Sequence, residues 1–340
     1  MARTLVSCVA ENGDRWYQEA QNLVLSVRRF GGTLSEAPLV VNFVEGVEPR
    51  YERGLAELGA EVRVVPRFDP RTPASNKLRM LELAETHDFD VLLAIDTDTV
   101  VIGDVSTYAV PAAVAIKPEN VDPYPPGCWP ALYAELGIVP PSRSMVTTVT
   151  GQLTYPYFNS GVLFVPRDRC AQLLESWTKR VFDVLDVYER RPAIVPAKER
   201  HWTNQLSLAL AVVGDGIPVV PLPVAANLST TVRVHPLFAH EATPPYVLHY
   251  HNEMDTRGFL FRSASKALNP FLDTFNRVRA EALGVAYERL PAPPLLRRTL
   301  RRVEGHSWYE RGPVAYVRRH RLLAPVRRQA KRLAKGSAAG

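Results

Sequence analysis

The hydrophobic residues of the first hundred positions follow two alternating patterns. Short, nearly continuous apolar runs, typical of strands buried on both faces, are followed by stretches in which apolar residues recur every three or four positions, as on one face of a helix. The predicted strands are 4–10, 37–45, 61–66 and 89–95, separated by helices that end at Gly31, at Gly59 and at His87. This order predicts an α/β fold with a mostly parallel sheet, in which ligands bind at the carboxyl ends of the strands.

The second half of the chain is less regular. Strands are predicted at 112–118, 158–166, 217–223 and 246–252, and helices at 129–137, 167–188 and 203–213. Between the first two of these strands lies the segment 120–152, which is rich in Pro, Tyr and Trp. A long loop inside a compact domain is usually functional, so we expect its aromatic rings to face a substrate.

The positive charge of the chain is concentrated at its end. The net charge is +6, but residues 291–340 hold 13 Lys or Arg and two Glu, so residues 1–290 are acidic overall. The basic composition therefore gives no reason to expect a nucleic-acid partner for the main domain. The Pro-rich stretch LPAPPL at 290–295 is the best candidate for a domain boundary.

The basic tail, residues 291–340, is predicted to contain an amphipathic helix. Between 316 and 335 the residues Leu322, Val326, Ala330 and Leu333 share one side, with Arg and Lys elsewhere and Pro325 interrupting the pattern. A segment of this kind can lie on an anionic membrane surface, and a solvated tail is the alternative. No aromatic stacking platform accompanies the charge, which disfavours nucleic acid again.

The sequence also predicts the compartment. No apolar run approaches the roughly 18 residues of a membrane-spanning helix, and the first residues lack a signal-peptide pattern. Cys8, Cys128 and Cys170 are odd in number and widely spaced, which indicates buried thiols rather than a disulfide framework or a zinc site. We expect a cytoplasmic protein, with the tail at the inner face of the membrane.

Asp96 and Asp98 are the most informative residues. The sequence AIDTDTVV places them directly after a buried strand, and side chains two apart on extended backbone point to the same side. They could cap a turn, but a calcium loop is excluded because Val100 and Val101 stand where an oxygen ligand and a glycine are needed. LLAIDTDTVV also resembles the nucleophile motif of haloacid dehalogenase-type phosphohydrolases, with Asp96 as nucleophile and Asp98 as acid/base. The remaining interpretation is a divalent cation that clamps a diphosphate.

Further motifs favour the cation. VAENG (9–13) follows the first strand, SNKL (75–78) precedes the acidic strand, and YFNSGVLFV (157–165), TNQLSLAL (203–210) and VLHYHN (247–252) come later. In this order they resemble GT-A fold glycosyltransferases, closest to the glycogenin-like retaining sugar transferases, over residues 4–262. The resemblance implies a GT-A type, Rossmann-like sheet flanked by helices, with a nucleotide-binding part at 1–105 and an acceptor part at 106–290.

The resemblance implies a metal site. Asp96, Asp98 and His249 would hold Mn²⁺ or Mg²⁺ together with the donor phosphates, and His251, two residues further on, is the alternative ligand. An imidazole ligand favours manganese, because magnesium prefers oxygen ligands. Two histidines without a metal at a strand end are the structural alternative.

The resemblance also implies how the donor is bound. Glu11 and Asn12 would contact the base or ribose, although Asn12 beside Gly13 could form a plain turn. Lys77 would meet a phosphate, unless it is a solvated helix charge. The family's Lys-Pro-Trp run is missing after His249, and Arg257 or Arg262 could replace its lysine.

Three amides correspond to the reaction centre of the family. Asn159 in FNSG would bind hydroxyls of the donor sugar. The family has Asp-Gln where this chain has Asn204 and Gln205, and an amide cannot act as a carboxylate nucleophile. Substitution on one face of the sugar, with Gln205 beside the cation-like carbon, is therefore implied, and Asn204 as a helix N-cap is the alternative.

The predicted activity is metal-dependent transfer of a sugar, with retention, from a nucleotide-diphosphate sugar to a hydroxyl acceptor, which would be a glycan, a glycolipid or a small molecule. Two other classes stay open at this point: the phosphohydrolase, and a non-catalytic membrane-associated binding protein of the same fold.

Overall fold

The computed structural model describes residues 2–238, 244–251, 253–263, 265–287 and 290. Its strands are β1 (Thr4–Glu11), β2 (Leu39–Val44), β3 (Glu61–Val65), β4 (Val91–Ile95), β5 (Thr99–Val101), β6 (Val114–Pro118), β7 (Met145–Val146), β8 (Leu153–Thr154), β9 (Phe158–Pro166), β10 (Val219–Pro221), β11 (Leu228–Ser229) and β12 (Val247–His249). Its α-helices are α1 (Asp14–Phe30), α2 (Pro49–Ala56), α3 (Cys128–Glu135), α4 (Arg167–Arg190), α5 (Thr203–Gly214) and α6 (Asn269–Leu283). Its 3₁₀ helices are Gly32–Glu36, Pro73–Glu85, Ser106–Tyr108, Ala197–Trp202, Val224–Asn227, Pro236–Phe238 and Lys266–Leu268.

The main sheet has the strand order β10-β6-β9-β4-β1-β2-β3. The strands β1 to β4 are mutually parallel, and β10 is parallel to β6. Of the described strands in this sheet, only β9 runs against its neighbours, since it pairs antiparallel with both β4 and β6. The predicted α/β fold with a mostly parallel sheet and flanking helices is confirmed.

The reversed direction of β9 determines where the site forms. Its first residues lie beside the carboxyl ends of its neighbours, and the backbone N–H of Asp96, after β4, donates to the carbonyl of Gly161 at 2.9 Å. On the other side, the N–H of Glu119, after β6, donates to the carbonyl of Tyr157 at 3.0 Å. Three segments that are distant in sequence therefore meet at one edge of the sheet.

Burial explains why β4 is apolar throughout. Leu92 and Ala94 pack into one core cluster with α4 and α5, whereas Leu93 and Ile95 pack into another with α1. A strand covered on both faces needs no polar alternation, as the continuous apolar run predicted. The smaller cluster that joins α6 to β5 and β12 completes the described core.

A second sheet has the order β11-β12-β5. After the turn that contains Asp96 and Asp98, the chain enters β5, which pairs antiparallel with β12 so that Thr99 lies opposite His249. Ser229 of β11 lies opposite His249 on the other side. This small sheet fixes the late histidine strand beside the acidic turn.

Two expectations about local structure are corrected. The helix before β4 is a 3₁₀ helix, Pro73–Glu85. Aromatic rings of the segment 120–152, expected to face a substrate, instead pack inward: Tyr124 and Trp129 are buried, and both are in ring contact with each other and with the buried Tyr157 that follows the segment. Bulky rings bury enough area to form a local core, and the indole N–H of Trp129 donates to Oδ2 of Asp122 at 2.9 Å.

The remaining expectations concern cysteines and membranes. The three cysteines are buried and free, as predicted. Among the described residues no helix combines the length and hydrophobicity needed to cross a bilayer. The predicted amphipathic tail, 291–340, lies outside the described residues.

The double burial of β4 leads to a stability prediction. Leu93 is fully buried, so Leu93→Ala should lower the free energy of unfolding by about 2–5 kcal/mol through lost transfer energy and a cavity. Val64, on the edge strand β3, is 56% exposed, and Val64→Ala should cost less than about 1 kcal/mol. Urea unfolding monitored by circular dichroism measures both, and equal losses would contradict the assigned burial.

Candidate active site

The two carboxylates of the acidic turn point to different partners. Asp96 pairs with the ammonium of Lys77, with Nζ 2.7 Å from Oδ1 and 2.8 Å from Oδ2. Asp98 pairs instead with His249, whose Nε2 lies 3.0 Å from Oδ1. The expectation that both carboxylates face one ligand followed from extended backbone, but residues 97 and 98 form a turn between β4 and β5.

Lys77 is held in the site by more than Asp96. Its Nζ also lies 3.1 Å from Oγ and 3.3 Å from the carbonyl of Ser160, in the FNSG segment. The side chain of Lys77 is only 13% exposed and that of Asp96 18%, so the pair is substantially desolvated. Lys77 is therefore a site residue and not a solvated helix charge.

Asp98, His249 and His251 form the candidate metal cluster. Each offers one ligand atom, and these atoms lie within 4.8 Å of one another. The two imidazole rings stack with centroids 4.0 Å apart, and His251 has a left-handed backbone with φ of 47°. Both histidines therefore cluster with Asp98, whereas Asp96 is outside this cluster and forms an ion pair with Lys77.

The charge state of this cluster follows from pairing. Burial alone would raise the pKa of Asp98, but the imidazole of His249 outweighs it and lowers the pKa below its usual value. Burial would lower the pKa of His249, and the carboxylate of Asp98 raises it instead. A cation bound here would replace the Nε2 proton, which is how metal binding releases protons.

The donor chemistry of the cluster fits a divalent transition ion. Two imidazoles and one carboxylate are nitrogen-rich, whereas Mg²⁺ and Ca²⁺ prefer oxygen ligands. Cation binding would also relieve the cost of a carboxylate that is partly withdrawn from water. The residues present therefore fit Mn²⁺ better than Mg²⁺.

His249 packs directly against the FNSG segment. A Cβ atom on Gly161 would lie 2.8 Å from Cε1 of His249 and 2.9 Å from Oδ1 of Asn159. No side chain fits there, which explains the glycine of the motif by close approach rather than by backbone freedom.

The three predicted amides are buried around this point. Asn159 accepts from the N–H of Gly161 at 3.0 Å, and Asn204 donates from Nδ2 to Oγ of Ser160 at 2.9 Å. The Oε1 atom of Gln205 accepts from the hydroxyl of Tyr157 at 3.0 Å. Asn204 lies inside α5 and not at its N-cap, which is Trp202, so the capping alternative is wrong.

Glu11 and Asn12, the residues predicted for the nucleoside, lie at the end of β1, beside the ends of β2 and β3. Glu11 receives two hydrogen bonds from Arg67, at 2.9 and 2.8 Å, and a third from Nδ2 of Asn76 at 3.0 Å. Arg67 also bonds Glu45, at 3.2 and 3.0 Å. Asn12 is exposed in the turn before α1.

Arg67 and Asn76 were missed by the sequence analysis. The signal for Arg67 was available, because Arg67 comes just after β3, Glu11 is the last residue of β1, and the parallel strands β1 to β3 end at the same edge of the sheet.

Arg257 and Arg262 are held elsewhere. Arg257 is 58% exposed and pairs with Asp255 at 3.3 Å. Arg262 lies 3.7 Å from Asp273 of α6. Neither guanidinium has a contact with Lys77, Asp96 or Asp98 among the described interactions, so nothing in the geometry supports either as the phosphate clamp.

A buried glutamate on α1 lies behind the acidic turn. Glu19 is fully buried, accepts from Nε of Arg15 at 2.9 Å and accepts from the hydroxyl of Thr97 at 3.3 Å. Burial, aided by the charge of Asp98, raises its pKa to about 7 despite the guanidinium of Arg15. No sequence pattern singles out Glu19, because it lies next to apolar positions of an otherwise ordinary amphipathic helix.

Comparison with known proteins identifies the family. The family model described as the Rhodobacterales glycosyltransferase domain matches residues 6–216. No curated protein sequence matches the chain.

Solved structures share the fold at low sequence identity. The galactosyltransferase LgtC, in complex with donor and acceptor sugar analogs, is 15% identical with a TM-score of 0.50, and the match covers 84% of this chain and 97% of that chain. Mouse xyloside xylosyltransferase 1 is 12% identical (TM-score 0.44; 73% and 97% covered). The bifunctional glycosyltransferase WbbM is 13% identical (TM-score 0.48), and the match covers 82% of this chain but only 50% of WbbM. At these identities the likeness to LgtC shows the GT-A fold.

Glu19 leads to a prediction about stability and pH. Its raised pKa means that the folded protein keeps a proton which the unfolded chain, with a value near 4.5, has lost. The contribution of Glu19 should therefore lower the free energy of unfolding as the pH rises from about 4.5 to 7, by up to about 3 kcal/mol. Glu19→Gln has no such proton, so its stability relative to wild type should increase across this window.

Urea unfolding at pH values from 5 to 8 measures that difference. Glu52→Gln, on the exposed side of α2, is the matched control and should differ from wild type by a constant amount. A pH-independent difference between Glu19→Gln and wild type would contradict the prediction.

Proposed function

Because the chain belongs to the family of the Rhodobacterales glycosyltransferase domain, it is a glycosyltransferase enzyme, and we propose that it transfers a sugar from a nucleoside-diphosphate sugar to a hydroxyl acceptor with a bound divalent cation. The observation that carries the proposal is the cluster of Asp98, His249 and His251 beside the ion pair of Lys77 and Asp96. That a protein of the same fold was solved with donor and acceptor sugar analogs supports the two substrate classes.

The cation we propose is Mn²⁺, held by Asp98, His249 and His251. When bound, it would supply positive charge that stabilises the departing diphosphate. Asp96 was predicted as a further ligand, and we keep it as a donor-site residue that holds Lys77. The ammonium of Lys77 is buried enough to attract a phosphate strongly, since charge interactions strengthen as water is excluded.

The nucleoside would bind at the ends of β1 to β3. Arg67, Glu11 and Asn76 form a hydrogen-bonded group there, and planar guanidinium and amide groups suit recognition of a base or ribose. Asn12 lies next to this group in the chain and stays a prediction. The nucleoside-binding region then lies on the same sheet edge as the cluster.

We propose that the reaction retains the anomeric configuration, as in the glycogenin-like enzymes. At 204 and 205 the chain offers amides and no carboxylate nucleophile. The acceptor oxygen would bond to the anomeric carbon on the face from which the phosphate oxygen departs, and that phosphate oxygen would take the hydroxyl proton. The bond from Tyr157 fixes the Oε1 end of Gln205, which leaves Nε2 as the end that can donate to a substrate oxygen.

The two competing classes lose their support. A phosphohydrolase would need Asp96 as a free nucleophile, but Lys77 binds both of its carboxylate oxygens, and the family is one of glycosyltransferases. Membership of this family of enzymes is also the reason to set aside the non-catalytic binding protein. A cytoplasmic location, the division into 1–290 and a tail, and binding of that tail to an anionic membrane remain proposals from the sequence.

Thermal shift with sugar nucleotides tests the proposed function. UDP-, GDP- and dTDP-linked sugars, each with and without Mn²⁺, are added to wild type and to Asp98→Asn. A ligand that binds only the folded state at 100 times its Kd stabilises by about 2.7 kcal/mol, which should raise Tm by several degrees. We expect one nucleotide to give a shift that requires Mn²⁺ and is lost in Asp98→Asn.

The control is Asp168→Asn, an exposed aspartate at the start of α4, which should respond as wild type does. If no sugar nucleotide shifts the wild type under any metal condition, the proposed donor site is wrong. A shift of equal size in Asp98→Asn would remove Asp98 from the site.

A second prediction concerns Lys77. Lys77→Met removes the ammonium but keeps an unbranched side chain, and it leaves Asp96 without its partner. We expect the Kd of the donor nucleotide to rise by at least tenfold in calorimetric titration, because a buried charge contact with a phosphate is lost.

Lys179→Met is the matched control, since Lys179 forms a surface ion pair with Asp183 and is 59% exposed. Its nucleotide affinity should equal that of wild type. Unchanged affinity in Lys77→Met would show that Lys77 serves only to neutralise Asp96.

A further inference from the structure

A chain of buried amides connects β9 to the back of His249. The N–H of Gly161 donates to Oδ1 of Asn159 at 3.0 Å, and Nδ2 of Asn227 donates to the same oxygen at 2.8 Å. The other end of Asn227, Oδ1, lies 3.2 Å from Nδ1 of His249. Asn159, Asn227 and His249 are all at least nine-tenths buried, so these contacts are shielded from water.

The backbone sets the direction of every bond in this chain. A backbone N–H can only donate, so the atom of Asn159 next to Gly161 must be its oxygen. The atom of Asn227 that meets this oxygen must then be its nitrogen, and the opposite end of Asn227 must be its oxygen. A carbonyl oxygen can only accept, so Nδ1 of His249 carries a hydrogen.

Glu119 supports the same orientation from the other side. It is 4% exposed, and the amide nitrogen of Asn159 donates to its carboxylate. Its Oε2 is buried and has no hydrogen-bond partner among the described residues. A rotated Asn159 would place its oxygen against this carboxylate, where two acceptor oxygens with no hydrogen between them repel each other, so Glu119 and Gly161 select one rotamer of the amide.

We propose that Asn227 is a positioning residue that keeps the hydrogen of His249 on Nδ1 and thereby directs the lone pair of Nε2 toward the cation. This inference rests on the proposed function, because it assumes a cation at Asp98, His249 and His251. Partners of this kind commonly fix both the tautomer and the orientation of a metal-binding imidazole. Asn159 and Glu119 act further back, by fixing Asn227.

Two substitutions separate an acceptor role from a packing role. Asn227→Leu has a similar shape but no acceptor for Nδ1, and we expect the Kd for Mn²⁺ to rise about 10–100-fold. Asn227→Asp keeps an acceptor for Nδ1, although it places a carboxylate against Oδ1 of Asn159. If the acceptor is what matters, Asn227→Asp should bind Mn²⁺ within about threefold of wild type. If only the volume of residue 227 matters, Asn227→Leu should bind Mn²⁺ as tightly as wild type does.

The measurement is the Kd for Mn²⁺ alone, from the EPR signal of the free ion, with folding of each variant checked by thermal melting. Asn42→Leu is the control: Asn42 is also fully buried and donates to Oγ of Ser7 and the carbonyl of Cys8, so its loss should lower Tm without changing the Kd. Should Asn227→Leu fail to fold, Asn227→Val, which also lacks an acceptor, replaces it.

The outcomes distinguish this inference from the proposed function. Wild type without Mn²⁺ binding would overturn the cation site itself. Wild type that binds Mn²⁺, together with an unchanged Kd in Asn227→Leu or an equally weakened Asn227→Asp, would overturn only the positioning role of Asn227.

Discussion

The reversed direction of β9 between β4 and β6 is the constraint on which the site depends. In a fully parallel sheet the residues that begin this strand would lie at the far edge, away from Asp96. Because β9 runs the other way, Asn159 to Gly161 lie beside the carboxyl ends of β4 and β6. Because Gly161 has no side chain, His249 can pack directly against it, which couples the main sheet to the second sheet.

The electrostatics of the site follow from that packing. Buried charges are costly unless paired, and here each carboxylate of the turn has its own cationic partner, Lys77 for Asp96 and His249 for Asp98. Within each of these two ion pairs the opposite charges cancel, so this part of the site carries no net charge. When an anionic diphosphate binds together with a cation, Lys77 would gain the phosphate as a partner and Asp98 would gain the cation. Every charge in the site would then still have an opposite charge beside it.

How much of this the sequence could predict depended on how local the cause was. The strands, α4 and α5, and the position of the acidic turn follow from periodicity and from the apolar run of β4. The partition of Asp96 and Asp98 between two partners could not be predicted. It depends on a turn and on β12, which is distant in sequence from the turn but lies beside it in the second sheet. The expectation that the aromatic rings of the segment 120–152 face a substrate was wrong. Composition indicates that rings are present but not which way they pack. Asn227 and Glu119 had no signal, since their importance lies in contacts between separate segments.

The buried amides would give the proposed reaction centre its chemical character. Asn159, Asn204, Gln205 and Asn227 are neutral, and all are at least nine-tenths buried. A carboxylate in their place would carry a larger desolvation cost and would compete with Asp98 for the cation. Amides instead present fixed dipoles whose orientation is set by hydrogen bonds from Gly161, from Tyr157 and to Ser160. Dipoles held in this way need no reorganisation when positive charge develops on a sugar carbon. An amide at 204 is therefore compatible with the proposed catalysis, provided that stabilisation comes from orientation rather than from a covalent bond.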